Sequence, residues 1–203
     1  MEENYNINLT TLKILKLYTT DYTKAIHVRK VSRAIQTDVK AVGIHLDRLE
    51  NHNILQSSIN GRNKEYKLNL DNIVTKYYLT LAETYQTINY LENNYLIKRL
   101  TNEIPSKIEG TILLFGSYAT GDTTDTSDID LLIISEEKTP TKAINETGRL
   151  MGKEINIQTI TPNNFQNGLK ENDPLIKEAV KNHIVLKGIE SLVEQLWRYH
   201  ANP

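Results

Sequence analysis

Apolar residues recur every three or four positions in the first part of the chain, then at alternate positions, and the change of period marks the elements. Leu9, Leu12, Leu15 and Tyr18 predict a first helix of about three turns. Thr23 to Val28 reads as a short extended or capping segment, and Val31, Ala34 and Ile35 as a short second helix. Thr37-Asp38 is a fitting N-cap for a third helix, with Val39, Val42, Leu46 and Leu49 on its inner face. Ile54 to Ile59 and Glu65 to Leu68 flank the turn Asn60-Gly61-Arg62-Asn63, and Asn-Gly between alternating segments predicts a hairpin.

Residues 71–103 read as one or two long helices, with a stripe of Ile73, Tyr77, Leu81, Ile88, Leu91, Tyr95 and Leu96, ended by Pro105. At helical spacing Tyr77, Tyr78, Tyr85, Tyr90 and Tyr95 are expected in the core and in helix packing rather than in base stacking. This helical segment also offers a place for a homodimer contact. Thr111 to Phe115 and Leu131 to Ile134 are apolar enough for buried strands. Lys142 to Met151 reads as a helix crossing the sheet, and Glu154 to Ile160 as a third strand. Asn163 to Lys170, Leu175 to Leu186 and Ile189 to Tyr199 read as closing helices. The predicted fold is α+β. Residues 1–70 form an N-terminal domain and 71–105 a helical linker. Residues 106–203 form a small mixed-sheet α/β domain with C-terminal helices.

With 203 residues, 39% hydrophobic and 24% charged, the composition is that of a soluble globular protein. No apolar run approaches membrane-spanning length, so no membrane partner is expected. The start Met-Glu-Glu-Asn-Tyr does not look like a secretory signal, and cysteine is absent, which together imply a cytoplasmic protein. Charge is unevenly spread: residues 1–70 carry 11 Lys/Arg against 7 Asp/Glu, the remainder 13 against 18. A basic N-terminal part suggests nucleic acid as its partner.

The densest chemistry lies in Leu114-Phe115-Gly116-Ser117-Tyr118 and Asp128-Ile129-Asp130. Strand alternation puts Asp128 and Asp130 on one face while Ile129 enters the core. Two carboxylates side by side repel unless a cation lies between them, and hard oxygen donors suit Mg²⁺ carried with phosphates. Gly116 allows close backbone approach, Ser117 offers a hydroxyl, and a short helix over Ser117 to Thr120 would aim free N–H groups at a phosphate. Asp122 and Asp125 read as loop solvation. A metal–nucleotide site is expected, taking an NTP with Mg²⁺.

These residues resemble the nucleotidyltransferase superfamily of DNA polymerase β, in particular its minimal nucleotidyltransferases. The signature is Gly-Ser, a ten-residue spacer and Asp-x-Asp, carried here by Gly116, Ser117, Asp128 and Asp130, with typical "GSYATG" and "SDIDLLI" flanks. The likeness covers roughly Ile108 to Thr161. It implies metal ligation by Asp128 and Asp130 and nucleotide contacts from Gly116 and Ser117. The superfamily's third carboxylate falls where this chain has Asn156, with Glu154 two residues earlier on the same strand face. Asn156 is expected to contact nucleotide, and Glu154 to join Asp128 and Asp130 in catalysis. Thr120 stands where many relatives carry Arg or Lys. Lys153 reads as a surface lysine, and His183 and His200 as helix residues in surface or packing roles.

Residues Leu9 to Leu70 resemble a winged helix-turn-helix domain, through "LDRLENHNIL" (Leu46 to Leu55) and "GRNKEYKLN" (Gly61 to Asn69). That resemblance implies double-stranded DNA as a partner, with Lys40, Ile44, His45 and Arg48 on the third helix and Arg62 and Lys64 at the wing. A protein-contact role for the same domain stays open. Two functions follow. The first is Mg²⁺-dependent transfer of NMP from an NTP to a hydroxyl of a protein (such as a partner toxin), an RNA or a small molecule. The second is a DNA-binding regulator whose nucleotidyltransferase-like domain only binds nucleotide.

Overall fold

The computed structural model describes residues 7–61, 63–103 and 108–201. Its described residues form ten helices and two small sheets, a mixed α+β architecture. Contacts divide the chain into two compact units: one reaches to Ala82 and takes in His200, and the other runs from Glu83 to Tyr199.

In the first unit, α1 (Leu9–Lys16), α2 (Val28–Ile35) and α3 (Val39–Asn51) precede the hairpin β2 (Leu55–Asn60) and β3 (Asn63–Leu68). Helix α1 is two turns long rather than three, because the chain after Lys16 tightens into turns. Asn8 caps α1 through Thr11 N–H, and Asp38 caps α3 through the N–H groups of Lys40 and Ala41. The extended segment is a two-residue strand, β1 (Ile26–His27), antiparallel to β3, which gives a sheet ordered β1-β3-β2. Asn60 pairs with Asn63, so the hairpin turns over two residues, with Gly61 at φ +61° as such a turn requires. Ile14, Leu15, Tyr18, Val31, Val42, Leu46 and Ile54 are buried, and Tyr18 Oη donates to the Tyr66 carbonyl at 2.9 Å.

Helix α4 (Ile73–Asn93) is followed by α5 (Tyr95–Glu103), while Pro105 lies outside the described residues. Much of the apolar stripe faces outward, contrary to the sequence expectation: Ile73, Tyr77, Leu81, Ile88 and Tyr95 are exposed, while Leu91 and Leu96 pack on the core. The buried positions include Thr75, Tyr78, Leu79, Ala82, Glu83, Gln86 and Thr87.

The second unit explains why Glu83, Gln86 and Thr87 of this helix are buried. Its sheet holds β4 (Thr111–Phe115), β5 (Ile129–Ile134), β6 (Ile155–Ile160) and β7 (Ile184–Lys187) in the order β6-β5-β4-β7. Strand β5 runs antiparallel to β4 and parallel to β6, so the sheet is mixed. Strand β7 was expected to be the end of a helix; instead α9 (Pro174–Lys181) stops and Ile184, Val185 and Lys187 pair with β4. Two β-branched residues in a buried run favour the strand. As an edge, β7 leaves outward carbonyls that need donors. Gln86 Nε2 donates to His183 O at 2.6 Å and Thr87 Oγ1 to Val185 O at 2.9 Å, so α4 caps that edge.

His183 is therefore no helix residue but a fully buried partner of Glu83, with Nε2 at 3.0 Å from Oε1. Its Nδ1 faces the Val180 carbonyl at 2.8 Å. Burial pulls the imidazole pKa down, yet the Glu83 charge and hydrogen bond, with the Val180 carbonyl, leave it raised. One face of the sheet carries Ile112, Leu114, Ile129, Leu131, Ile133 and Ile155 into a core with Ile97, Leu100 and Tyr118, and Ile144 of α7 (Thr141–Leu150). Short α6 (Gly116–Thr120) follows β4 directly. After β6 come α8 (Pro162–Glu171) and α9, and α10 (Ile189–Ala201) follows β7; Phe165, Ile176 and Leu192 on these helices are buried.

Candidate functional site

Strand register brings the two halves of the motif together. Phe115, the last residue of β4, pairs with Asp130 on β5, and Asp130 pairs with Asn156 on β6. One step back, Ile129 pairs with Ile155 and its N–H donates to the Glu154 carbonyl at 2.9 Å. Ile129 and Ile155 are buried on one face, so alternation assigns Asp130 and Asn156 to the other, with Asp128 and Glu154 preceding them. The four polar residues thus lie in two adjacent rows at the end of the sheet where β5 and β6 begin.

Gly116 is fitted to the Asp130 carboxylate. Its φ of +67° suits glycine, and a Cβ there would fall inside the carboxylate, 3.3 Å from Cγ. Bulk at this position would displace the acid. Asn156 Nδ2 donates to Asp130 Oδ1 at 3.2 Å, so the amide steadies the carboxylate and adds no charge of its own. Asp130 is half-buried, whereas Asp128, Glu154 and Asn156 are exposed. Ser117 is the second residue of α6, where no side chain caps the helix, and first-turn N–H groups lack intrahelical acceptors.

Among the described residues, no three His, Asp or Glu side chains gather to hold an ion by themselves. The donor set is instead two carboxylates with hard oxygens, beside an amide whose N–H is engaged by Asp130. That suits Mg²⁺, which is commonly bound by one or two carboxylates with substrate phosphates completing its shell. Asp128 and Asp130 would be its protein ligands.

Sequence reasoning undervalued Lys153. Its Nζ donates to the Asp125 carbonyl at 2.8 Å and reaches the Ser127 carbonyl at 3.5 Å. It also lies 5.8 Å from the centre of the Tyr118 ring. Lys153 and Glu154 line an open cleft of about 540 Å³ with Asn145, Arg149, Gly152 and Ile155. The available signal was position: Lys153 directly precedes Glu154, which the strand register sets level with Asp128.

Residues 96–187 match the nucleotidyltransferase domain family. A "Putative protein adenylyltransferase" of Methanocaldococcus jannaschii is 51% identical over 43 residues, 20% of this chain and 43% of that protein. The chain thus spans less than half the length of that relative. TrmBL2, an archaeal chromatin protein whose structure shows a novel mode of DNA binding, aligns at 12% identity over 85% of this chain and 70% of its own, with a TM-score of 0.27. That likeness is too slight to establish a shared fold. Gly116, Ser117, Asp128, Asp130, Glu154 and Asn156 all lie inside the matched nucleotidyltransferase domain.

The first unit places the other expected residues on and beside α3. Lys40, Ile44 and Arg48 are exposed and His45 is half-buried, with Nδ1 3.4 Å from Thr11 Oγ1. Burial, aided by the Arg48 charge, pulls the His45 pKa down. Lys64 turns back on α3: Nζ lies 2.6 Å from Glu50 Oε2, 3.4 Å from Asp47 Oδ1 and 4.8 Å from the Tyr66 ring centre. The Glu50 hydrogen bond, followed by that of Tyr66, raises its pKa. Arg62 lies outside the described residues. No helix among the described residues is long and apolar enough to cross a membrane.

Proposed function

We propose that this chain is a Mg²⁺-dependent nucleotidyltransferase that moves NMP from an NTP to a hydroxyl acceptor. The observation that carries the reading is the seating of Asp130 between Gly116 and Asn156, with Asp128 two residues upstream and α6 opening beside them. Mg²⁺, where bound, supplies charge neutralisation at the phosphates. Asp128 and Asp130 hold it, Ser117 and the first N–H groups of α6 receive phosphate oxygens, and Asn156 orients Asp130. The acceptor hydroxyl oxygen bonds the α-phosphorus while its bond to the bridging oxygen breaks, releasing pyrophosphate. Glu154, exposed beside the acids, takes the hydroxyl proton.

Protein is the favoured acceptor class, supported by the name of the Methanocaldococcus relative, and a partner toxin is one candidate. The test is incubation with each labelled NTP and Mg²⁺ alongside protein, RNA and small-molecule acceptors. Label should move to one acceptor class and vanish in Asp128→Ala/Asp130→Ala; no transfer to any class contradicts the reading.

A second reading has its own support. Asn156 brings an amide where a third carboxylate would stand, which suits a domain that binds nucleotide and turns over little. What supports a winged-helix reading of the first unit is its element order: α2 ends at Gln36 (φ +51°), Ser32 Oγ donates to the Thr37 carbonyl at 2.7 Å, and α3 follows with the hairpin behind it. Exposed Arg29, Lys30, Arg33, Lys40 and Arg48 would meet the DNA backbone, with Ile44 available to a thymine methyl. Duplex binding that changes on adding NTP favours this regulator. The exposed apolar residues of α4 support a homodimer through that helix. Loss of the larger species on Leu81→Asp/Ile88→Asp, seen by sedimentation, tests it.

A further inference from the structure

Segment 121–128 delivers Asp128 to the site; it leaves α6 with the N–H groups of Gly121 and Asp122 on the Ser117 carbonyl at 2.9 and 3.1 Å, and its middle is held by local bonds. Thr124 N–H donates to Ser127 Oγ at 2.8 Å, and Ser127 N–H to the Thr124 carbonyl at 3.1 Å. Such a turn fixes its own shape, while its placement against the sheet calls for an anchor from elsewhere. Lys153 supplies one, with its ammonium on the carbonyls of Asp125 and Ser127.

The root of this lysine is rigid. Its N–H donates to the Gly148 carbonyl at 3.0 Å, and Gly148 has no room for a side chain, since a Cβ would lie 2.7 Å from Ile155 Cγ1 and 2.9 Å from the Lys153 carbonyl. The same ammonium lies over the ring of Tyr118 in α6, whose carbonyl accepts from Tyr90 Oη at 2.8 Å. One cation therefore touches both halves of the motif: the helix that begins with Gly116-Ser117 and the segment that ends at Asp128.

We propose that Lys153 is a positioning residue that holds residues 125–127, the far end of segment 121–128, and so fixes where the Asp128 carboxylate stands; its effect on nucleotide rests on the nucleotidyltransferase reading. Methionine keeps the stem and removes the charge and donors, while arginine keeps both. The test compares the full-length wild type, Lys153→Met, Lys153→Arg and Asp128→Asn. Amide exchange over 121–129 and the ¹³C signal of the Asp128 carboxyl are read without nucleotide, and affinity is read with Mg²⁺–ATP.

In Lys153→Met, exchange over 121–129 should quicken by roughly tenfold, the loss of a charge-assisted hydrogen bond. The Asp128 signal should shift and Mg²⁺–ATP should bind about tenfold more weakly by the same loss, with Lys153→Arg restoring most of each. Unchanged exchange and an unchanged Asp128 signal in Lys153→Met overturn the proposal. Quickened exchange with an unmoved Asp128 signal overturns it too, because the segment would then move without its acid. If the wild type takes no Mg²⁺–ATP, the nucleotide reading falls, and exchange with the Asp128 signal still decides the role of Lys153.

Discussion

Asn156 donates its side-chain amide to the Asp130 carboxylate at 3.2 Å, across paired positions of parallel strands. A carboxylate in place of that amide would face Asp130 with like charge and no proton to share. Asn156→Asp should therefore lower the melting temperature in chelator by about 2–4 °C, the shift of a roughly 1 kcal/mol change in a chain of this size. Added Mg²⁺ should reverse the loss by screening the pair. Thermal melts with and without Mg²⁺ check this, and faster label transfer in the variant would show that the amide restrains turnover.

Gly116→Ala meets two obstacles: the left-handed backbone and the Asp130 carboxylate. The strain costs about 1–2 kcal/mol. The displaced acid should weaken Mg²⁺–NTP binding by more than the stability loss predicts. Calorimetry beside thermal melts separates the two, and binding equal to wild type would contradict the seating of Asp130 on Gly116.

The Glu83–His183 pair sets a pH dependence. A raised folded pKa means that protonated His183 contributes its full stability below the ordinary histidine value and loses it as pH rises through the folded one. Melting temperature should fall between pH 6.5 and the alkaline side, and Glu83→Gln should flatten that fall while lowering stability throughout. His45 and His200, both pulled down by burial, act in the opposite sense on the acid side, so the comparison isolates His183.

On the DNA reading, Lys40 and Arg48 act differently from Lys64. Each exposed cation lost from a phosphate contact reduces the slope of log affinity against log salt by about one. Lys64 is already neutralised by Glu50 and Asp47. Lys40→Ala and Arg48→Ala should flatten the salt dependence of duplex binding, and Lys64→Ala should leave it nearly unchanged.

Much of this was legible in the sequence because local signals agreed. Asp38 announced its cap, Asn60-Gly61 its hairpin, and Thr111 to Phe115 its strand, and each matches the structure. The acids on β5 stood out because carboxylates ahead of a wholly apolar run need a reason. The failures came where tertiary contacts overrode the pattern. Strand β7 hid because four residues carry little periodicity and its partner β4 lies about seventy residues upstream. Helix α4 misled because its polar Glu83, Gln86 and Thr87 serve the second unit, which turns Leu81 and Ile88 outward. Lys153 was read as a surface lysine and Lys64 as a wing residue from the resemblance, because the acceptors of both are distant in sequence.

The seating of Asp128 and Asp130 as a metal–triphosphate site is tested most directly by calorimetric titration of Mg²⁺–NTP into wild type and Asp128→Asn. Wild type should bind one equivalent, and the variant should bind at least tenfold more weakly with an unchanged melting temperature, consistent with losing a charged contact. Equal binding by both proteins, or none by wild type with any of the four nucleotides, would contradict it.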